Sequence, residues 1–250
     1  MPLTGPLGKW SKHCWRDRNQ EKCHDENAAA AQRNPPNPPM MYAVVSPEKI
    51  HLPPGSVLRL PGTWQDYCTL RDSREDGSLP RIKFRNDEIL LMSSLPRHGR
   101  EANILADVVK ALLDNETRNY EAFTPITMDI PERGGIEPDY CFYIDNWQAV
   151  VGKDRIDWQT DPPPDLVIEI DVTNYTVVAD YAPYGVPEVW LFKNKGLEIY
   201  HLQGNAYQLQ PISCYFPNCD LSALLAQVLQ VAAEQGTGVA LRSLRQQLSS

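Results

Sequence analysis

The feature that most constrains the fold is an apolar run, Leu166–Val172, that contains two carboxylates, Glu169 and Asp171. Five of its seven residues are apolar and most of these are β-branched, which is typical of a central strand covered on both faces. Residues two apart in a strand point to the same side, so Glu169 and Asp171 share a face. We therefore predict an interior strand that places two acids side by side.

The remaining patterns predict an α/β domain with a mixed sheet flanked by helices. Residues 81–85 alternate in polarity, Asn86-Asp87 follows as a turn signal, and the apolar run 89–92 comes next, which predicts a hairpin. Apolar residues recur at helical spacing over Gly99–Asn115, Leu221–Ala233 and Val239–Leu248. A long helix before a set of strands, with more helices after it, indicates one domain built on one mixed sheet. The strand-like runs are Phe123–Met128, Tyr140–Ile144, Leu166–Val172, Val189–Phe192, Leu197–Leu202 and Tyr207–Ile212.

The first 39 residues differ from the rest of the chain. They hold six basic and four acidic side chains, a net +2, so residues 40–250 carry −10 and the whole chain −8. The segment ends in Ala28–Ala31 and Asn34–Pro39, compositions that cannot build an apolar core. We interpret residues 1–39 as a disordered, irregular Pro-rich tail and residues 41–250 as the folded domain, with Met40 or Met41 as candidate start residues.

Composition and charge limit the classes of function. The chain has no apolar run of the roughly 18 residues that a membrane span needs, and its start lacks the pattern of a secretory signal. These features predict a cytoplasmic protein without membrane contact. The net charge of −8 counts against a protein that coats nucleic acid with a broad basic surface. It does not count against an enzyme that combines a local basic patch with a carboxylate-rich metal site. The six scattered cysteines indicate reduced thiols rather than a disulfide scaffold.

Two further acids are candidates for the same site as Glu169. Asp139 begins the next strand-like run upstream, which we expect to pair beside the strand of Glu169. Glu101 lies in the first turn of the predicted helix, on the stripe that faces the core. Neighbouring carboxylates repel each other unless a cation joins them, and Mg²⁺ prefers carboxylate oxygens. The alternatives are a turn acid at Asp139, a solvated strand end at Glu169, and a helix-dipole role for Glu101.

These acids lie in a pattern that resembles a known family. Asp139, the run Asp165–Thr173 and the segment Tyr184–Trp190 are similar to the "putative restriction endonuclease" family abundant in cyanobacteria, a branch of the PD-(D/E)XK nuclease superfamily. The resemblance extends from about Met41 to the end of the chain. It implies a restriction-endonuclease-like core, in which a mixed sheet is flanked by helices.

The resemblance also implies an activity. We expect an endonuclease-type phosphodiesterase that acts on DNA and depends on Mg²⁺, with Mn²⁺ as an alternative metal. Asp139 and Glu169 would hold the metal, and Asp171 and Glu101 would complete the catalytic set. A homodimer is a further expectation, which comes from analogy at the level of the fold.

One residue of the family pattern is missing. Members with an acid at the place of Asp171 supply a Lys four residues before a Tyr, in the pattern Lys-x-x-x-Tyr-x-x-x-Gly. Here Tyr181 and Gly185 match, but position 177 is Val. The departure leaves open a second interpretation, a catalytically degenerate nuclease-fold protein that binds nucleic acid or a protein partner. Candidate replacements for the missing cation are Lys153, Arg155 and Lys193.

Other patterns have simpler interpretations. The pairs His13-Cys14 and Cys23-His24 offer ligands that zinc accepts, but their spacing is not that of a zinc knuckle, so a disordered tail explains them better. We expect His98 to lie in the cap region of the predicted helix rather than to contact substrate. A glycoside hydrolase with a carboxylate pair fits less well, because the aromatic residues that would stack on a sugar do not lie near the acids.

Overall fold

The strands of the chain form two sheets in a computed structural model, which describes residues 52–74, 80–171 and 176–249. None of the helices within these ranges has both the length and the apolar character that a bilayer crossing requires. Two 3-10 helices, Trp147–Ala149 and Val178–Tyr184, supplement the regular elements. These are β1 (Val57–Pro61), α1 (Trp64–Asp72), β2 (Arg81–Arg85), β3 (Glu88–Met92), α2 (Pro96–Asn115), β4 (Glu121–Phe123), β5 (Met128–Ile130), β6 (Gly134–Ile136), β7 (Tyr140–Tyr143), β8 (Leu166–Asp171), β9 (Glu188–Lys193), β10 (Gly196–Gln203), β11 (Ala206–Gln210), α3 (Leu221–Gln235) and α4 (Thr237–Leu248).

The smaller sheet has five strands in the order β1-β3-β2-β6-β5, and every neighbouring pair is antiparallel. The predicted hairpin is its centre, because β2 and β3 are joined by a two-residue turn at Asn86 and Asp87. Both turn residues have positive φ, 52° and 57°, as a tight hairpin turn requires. Helix α1 contributes Tyr67 to an apolar cluster with residues of β2 and β3, namely Ile82, Phe84, Ile89 and Leu91.

The larger sheet has six strands in the order β11-β10-β9-β8-β7-β4. It is mixed, since β8 and β9 are parallel while the other neighbours are antiparallel. Strand β8 lies in its interior and is apolar on both faces, which explains the near-continuous apolar run in the sequence. Ile168 and Ile170 join the cluster of the helical face, whereas Val167 joins a second cluster on the opposite face.

Three helices cover one face of the larger sheet. Apolar residues of α2 recur every three or four positions, and eleven of its side chains are buried. Helices α3 and α4 add Leu225, Val228 and Leu244 to the same core, where Trp190 packs edge to face with Phe216. An apolar core therefore covers the helical face of the sheet. Because side chains alternate along β8, Glu169 points to the opposite face, the one that carries Val167.

Two short crossings join the sheets, one from β4 to β5 and one from β6 to β7, and the second carries Asp139. Strand β6 of the small sheet is followed directly by Glu137-Pro138-Asp139 and then by β7 of the large sheet. Glu137 anchors this crossing, because its buried carboxylate accepts hydrogen bonds from the backbone N–H of Ile82 at 3.0 Å and from the hydroxyl of Thr127 at 3.0 Å. Asp139 therefore lies at a fixed point where both sheets meet.

The predicted α/β fold with a mixed, helix-flanked sheet is confirmed, and the structure adds a second sheet. Residues 57–68, which lack a clear sequence period, form β1 and the beginning of α1. The run Phe123–Met128, predicted as one strand, divides between the two sheets because Pro125 has no N–H to give a ladder. The tail of residues 1–39, with its Cys-His pairs, lies outside the described residues.

Candidate active site

Asp139 comes next to Glu169 because of the register of the large sheet. The antiparallel ladder of β7 and β8 pairs Tyr140 with Ile168. The ladder ends there, but continuing its register by one residue would put Asp139 opposite Glu169, and the Asp139 carboxylate binds the backbone N–H of Ile170, the next residue. The predicted convergence of the two acids, which are 30 positions apart in the sequence, is thus built into one strand pair.

The carboxylate of Asp139 is completely buried and is surrounded by positive charge. Its Oδ2 accepts a hydrogen bond from the backbone N–H of Ile170 at 2.7 Å and lies 3.2 Å from Nε2 of His98. Its Oδ1 makes an ion pair with Arg81 but accepts no hydrogen bond within the described part of the chain. Burial alone would raise the pKa of Asp139, but the contacts with His98 and Arg81 outweigh it and lower that pKa. Asp139 is therefore ionised.

The surroundings of Glu169 shift its pKa in the opposite direction to that of Asp139. Its side chain is only partly exposed, and its Oε1 accepts a hydrogen bond from the Tyr181 hydroxyl. Burial and the negative charge of Asp139 raise the pKa of Glu169 to about 7, against the opposing effects of Tyr181, Lys83 and Arg81. Two carboxylates with such different proton affinities share one site, an arrangement that is common where a protein holds a cation or moves a proton.

The positive charges of the site come from strand β2. Arg81, Lys83 and Arg85 alternate with apolar residues along the strand, so their side chains share a face. Arg81 contacts Asp139, while Nζ of Lys83 lies 2.5 Å from Oδ2 of Asp180 and Arg85 binds the same carboxylate at 3.0 Å. Asp180 thus holds two of the three cations in place, beside the Tyr181 that orients Glu169.

A cavity opens beside these groups. Arg81, Lys83 and His98 supply its basic side chains, and Glu169 supplies an acid. Lys83 lines this cavity, is only 7% exposed, and has its ammonium group paired with Asp180. Acids and cations that converge on one concave, partly dry space are the usual setting of a hydrolytic site.

Position 177, where the family pattern has Lys, holds Val, and Lys83 of β2 contacts the segment that follows it. Val177 is exposed there, but the following residues, Asp180 and Tyr181, contact Lys83 and Glu169. None of the three replacements suggested by the sequence is among the described residues lining the cavity. Lys153 pairs with Asp161, Lys193 pairs with Glu198, and Arg155 is exposed.

The two remaining candidate acids lie close by, but in different surroundings. Asp171 is buried at the end of β8, two residues beyond Glu169, and pairs in register with Lys193 of β9. Glu101 is buried on α2, and its carboxylate accepts a hydrogen bond from Nε of Arg97 at 2.7 Å. Neither side chain is among the described residues that line the cavity. The structure therefore brings Asp139 and Glu169 together and leaves Asp171 and Glu101 at the margin.

His98 has a larger part in the site than the sequence indicates. It lies in the first turn of α2, as expected, but its ring is buried and contacts Asp139. Burial disfavours the protonated ring, yet the hydrogen bond to Asp139 and the charge of that carboxylate raise the pKa of His98. The sequence signal for the basic side chains was the alternation Arg81-x-Lys83-x-Arg85, which predicts a charged face as well as a strand.

The acids fit a hard divalent cation. Asp139 and Glu169 offer carboxylate oxygens, and Oδ1 of Asp139 has the Arg81 guanidinium as its partner, a position that a cation could take. The repulsion that raises the pKa of Glu169 is the repulsion that a cation between the two groups relieves. Arg81 provides part of this compensation in the protein alone.

Comparison with known proteins gives a family match and a structural match. A family model described as "Uma2: Putative restriction endonuclease" matches residues 64–240. A crystal structure of a putative nuclease belonging to DUF820 from Anabaena variabilis is similar at a TM-score of 0.45 and 15% sequence identity. That similarity covers 61% of this chain and 87% of the other. No curated protein matches the chain.

Proposed function

Because the chain belongs to the Uma2 family of putative restriction endonucleases, we propose that it is a Mg²⁺-dependent, endonuclease-type phosphodiesterase that acts on DNA. The observation that carries the proposal is that Glu169 and Lys83 line one cavity, with the buried carboxylate of Asp139 close enough to raise the pKa of Glu169. Carboxylates suit the metal, and the nearby cations suit a phosphodiester. Mn²⁺, which accepts the same oxygen ligands, is an alternative metal.

Each side chain has a distinct task in this proposal. Asp139 and Glu169 would hold the metal, which when bound lowers the pKa of a water molecule and neutralises charge on the phosphate. Tyr181 orients Glu169 through its hydroxyl, and Asp180 holds Lys83 at the cavity. Lys83 and Arg81 bind the negatively charged phosphate oxygens and stabilise the charge that develops during the reaction. The charge of Lys83 supplies what the Lys at position 177 supplies in the family pattern.

A second candidate function has one observation in its favour. Asp139 is already neutralised by Arg81, His98 and the backbone N–H of Ile170, which a carboxylate without a metal needs when buried. A protein that keeps this internal pairing would bind DNA or a protein partner on the same fold without cleaving it. The two functions differ in whether a metal displaces Arg81 from Oδ1.

Cleavage of supercoiled plasmid DNA in Mg²⁺ or Mn²⁺ separates the two functions. We expect the wild-type protein to nick the plasmid and Glu169→Gln to reduce the rate about 10²–10³-fold, the usual cost of losing one charge-stabilising group. Glu198→Gln, which removes a partly exposed acid paired with Lys193, is the matched control and should cleave normally.

The outcome decides between cleavage and binding. If the wild type and Glu169→Gln give the same low background in both metals, the nuclease proposal fails. If the wild type also retards a DNA duplex in a gel, the binding function gains support.

The homodimer expected from the fold stays a prediction, and the sedimentation of the protein would test it.

A further inference from the structure

A second group of ligand-type side chains lies on the other face of the large sheet. Glu188 begins β9, and the register of the β9–β10 ladder places His201 directly opposite it. Cys214, in the connection between β11 and α3, completes the group. One ligand atom from each of the three side chains lies within 4.8 Å of the other two. The group joins two strands and a loop that are separate in the sequence.

Glu188 is held rigidly at the base of this group. Its carboxylate is completely buried, and Oε1 accepts hydrogen bonds from Nε1 of Trp190 at 2.5 Å and from Oγ of Ser213 at 2.6 Å. Oε2 accepts a hydrogen bond from the backbone N–H of Cys214 at 2.7 Å and lies 3.0 Å from Nε2 of His201. A ligand whose orientation is fixed by its own hydrogen bonds is the condition for a preorganised metal site.

One separation in the group is close to that around a tetrahedral thiophilic ion, although Sγ of Cys214 is almost equally far from both ring nitrogens of His201. Sγ of Cys214 lies 3.5 Å from Nδ1 and 3.6 Å from Nε2 of His201. With metal–sulfur and metal–nitrogen bonds of about 2.3 Å and 2.0–2.1 Å, a tetrahedral angle places sulfur and nitrogen about 3.5 Å apart. Oxygen and nitrogen would be about 3.4 Å apart on the same reasoning, against 3.0 Å here, so a bound ion requires the His201 ring to rotate until one nitrogen faces both Sγ and Oε2.

We infer that Glu188, His201 and Cys214 form a site for a divalent transition metal of the zinc type. Sγ, Nε2 and Oε2 are the ligand atoms, and the fourth position faces water because Cys214 is exposed. Binding releases the thiol proton, and the ring proton that faces Oε2 of Glu188 moves from Nε2 to Nδ1, so that Nε2 is free to bind the ion. The bound ion would tie the loop before α3 to β9 and β10.

The site is independent of the proposed nuclease function. In the parallel pair of β8 and β9, Glu188 is in register with Leu166, three residues before Glu169. Side chains alternate along a strand, so Glu188 and Glu169 point to opposite faces of the sheet. The ligand types differ as well, since sulfur and imidazole select zinc-type ions whereas a pair of carboxylates suits Mg²⁺.

A nucleophilic role for Cys214 fits the geometry less well. Burial and the negative charge of Glu188 raise the pKa of the Cys214 thiol, and a reactive cysteine needs the opposite shift. Nε2 of His201 also lies 3.0 Å from Oε2 of Glu188, so the ring is oriented toward the carboxylate rather than toward the thiol that it would have to activate. A metal ion satisfies all three groups at once.

Cobalt and zinc binding test the site in the full-length chain. Cys14 and Cys23 are first changed to Ser, because they and their neighbouring histidines offer competing ligands. In this background and in excess Mg²⁺, Co²⁺ should give a thiolate charge-transfer band with one ion per chain, and Zn²⁺ should abolish the band. We expect Cys214→Ser and His201→Gln to lower Zn²⁺ affinity at least about 10-fold, the lower limit for disturbing a metal site.

The controls separate this site from others. Cys219→Ser removes a half-buried free thiol close by in the sequence and should bind Zn²⁺ as the parent does. Glu169→Gln should also leave the cobalt band unchanged, so failure of the nuclease proposal would not affect this result. Zn²⁺ should slow alkylation of Cys214 at least about 10-fold in the parent chain, which needs no further substitution. A missing thiolate band, or equal Zn²⁺ affinity in Cys214→Ser, would overturn the inference.

Discussion

Lys83 is a charged side chain that the protein keeps almost entirely out of water, at 7% exposure. A buried ammonium group is costly unless it is paired, and Asp180 provides the partner at 2.5 Å. The charge of Lys83 also helps to lower the pKa of Glu169 against stronger opposing effects. A protein that needed only a stable strand could place an apolar residue here, so the buried charge is best explained by function.

Replacement of Lys83 tests this explanation. We expect Lys83→Met, which keeps the length of the side chain, to reduce plasmid cleavage about 10²–10³-fold because the phosphate loses its cation. Lys83→Arg should retain part of the activity, since it restores a charge but not its position. The readout is the nicking rate in Mg²⁺, with circular dichroism to verify the fold. Lys153→Met, at a cation paired with Asp161, is the control; equal losses in both variants would exclude a specific role.

The sequence could predict the acids but not their cations. Glu169 and Asp139 stand out because carboxylates are unusual in or next to apolar strands, and strand pairing alone brings them together. Lys83 precedes Glu169 by 86 positions and lies in the other sheet, so no local spacing connects the two. Its contact depends on how the two sheets meet, and that depends on packing along the whole chain.

At the level of the elements, helix α1 and strand β6 approach each other very closely. A Cβ atom added to Gly135 would lie 2.1 Å from the hydroxyl oxygen of Tyr67. Tyr67 is completely buried and cannot turn away freely, because its hydroxyl donates a hydrogen bond to Asp129 at 2.7 Å. The glycine is therefore required by contact between elements and not by its own backbone angles.

Substitution of this glycine should weaken the small sheet. We expect Gly135→Ala to lower the free energy of unfolding by about 1–3 kcal/mol, the usual cost of overpacking a core. Gly99→Ala is the matched control, because no atom lies within 4 Å of its added Cβ and alanine favours the helix by up to about 1 kcal/mol. Urea unfolding of both variants measures the difference. A loss in Gly99→Ala as large as that in Gly135→Ala would contradict the contact.

Regular elements were predictable where the sequence has a clear period. The 20-residue helix α2 and the hairpin of β2 and β3 follow from periods of 3.6 and 2, with turn residues in between. Strand β1 and helix α1 were not found, because α1 turns few apolar residues inward and only Tyr67 among its side chains is buried. The division into two sheets escaped the sequence because short strands such as β4, β5 and β6 carry too few residues to show alternation.

At the scale of the whole molecule, the carboxylate pair links stability to pH. The pKa of Glu169 is raised to about 7 in the folded protein, so folding favours its protonated form. That contribution is fully present below the ordinary pKa of 4.5 and is lost as the pH rises through about 7. The raised pKa of His98 acts in the same direction, because its stabilising charge is also lost as the pH rises.

Metal-free protein should therefore become less stable between pH 5 and pH 7.5. We expect the part due to Glu169 to be about 1–3 kcal/mol, and Glu169→Gln should remove it. The measurement is the free energy of unfolding in urea at both pH values in the presence of EDTA, taken as the difference between wild type and variant. Saturating Mg²⁺ should reduce the decline in the wild type. A decline of the same size in Glu169→Gln would show that other groups cause it.

The crossing Glu137-Pro138-Asp139 has a mechanical consequence. Together with the crossing from β4 to β5 it would act as a hinge, since one continuous stretch of chain leaves the five-stranded sheet and enters the six-stranded sheet at the acid itself. Arg81 belongs to the five-stranded sheet, whereas Glu169 and the backbone N–H of Ile170 belong to the six-stranded sheet. A ligand that tilted the first sheet would lift the guanidinium from Oδ1 and leave the two carboxylates in place. Entry of a ligand and unmasking of the acid would then be a single movement.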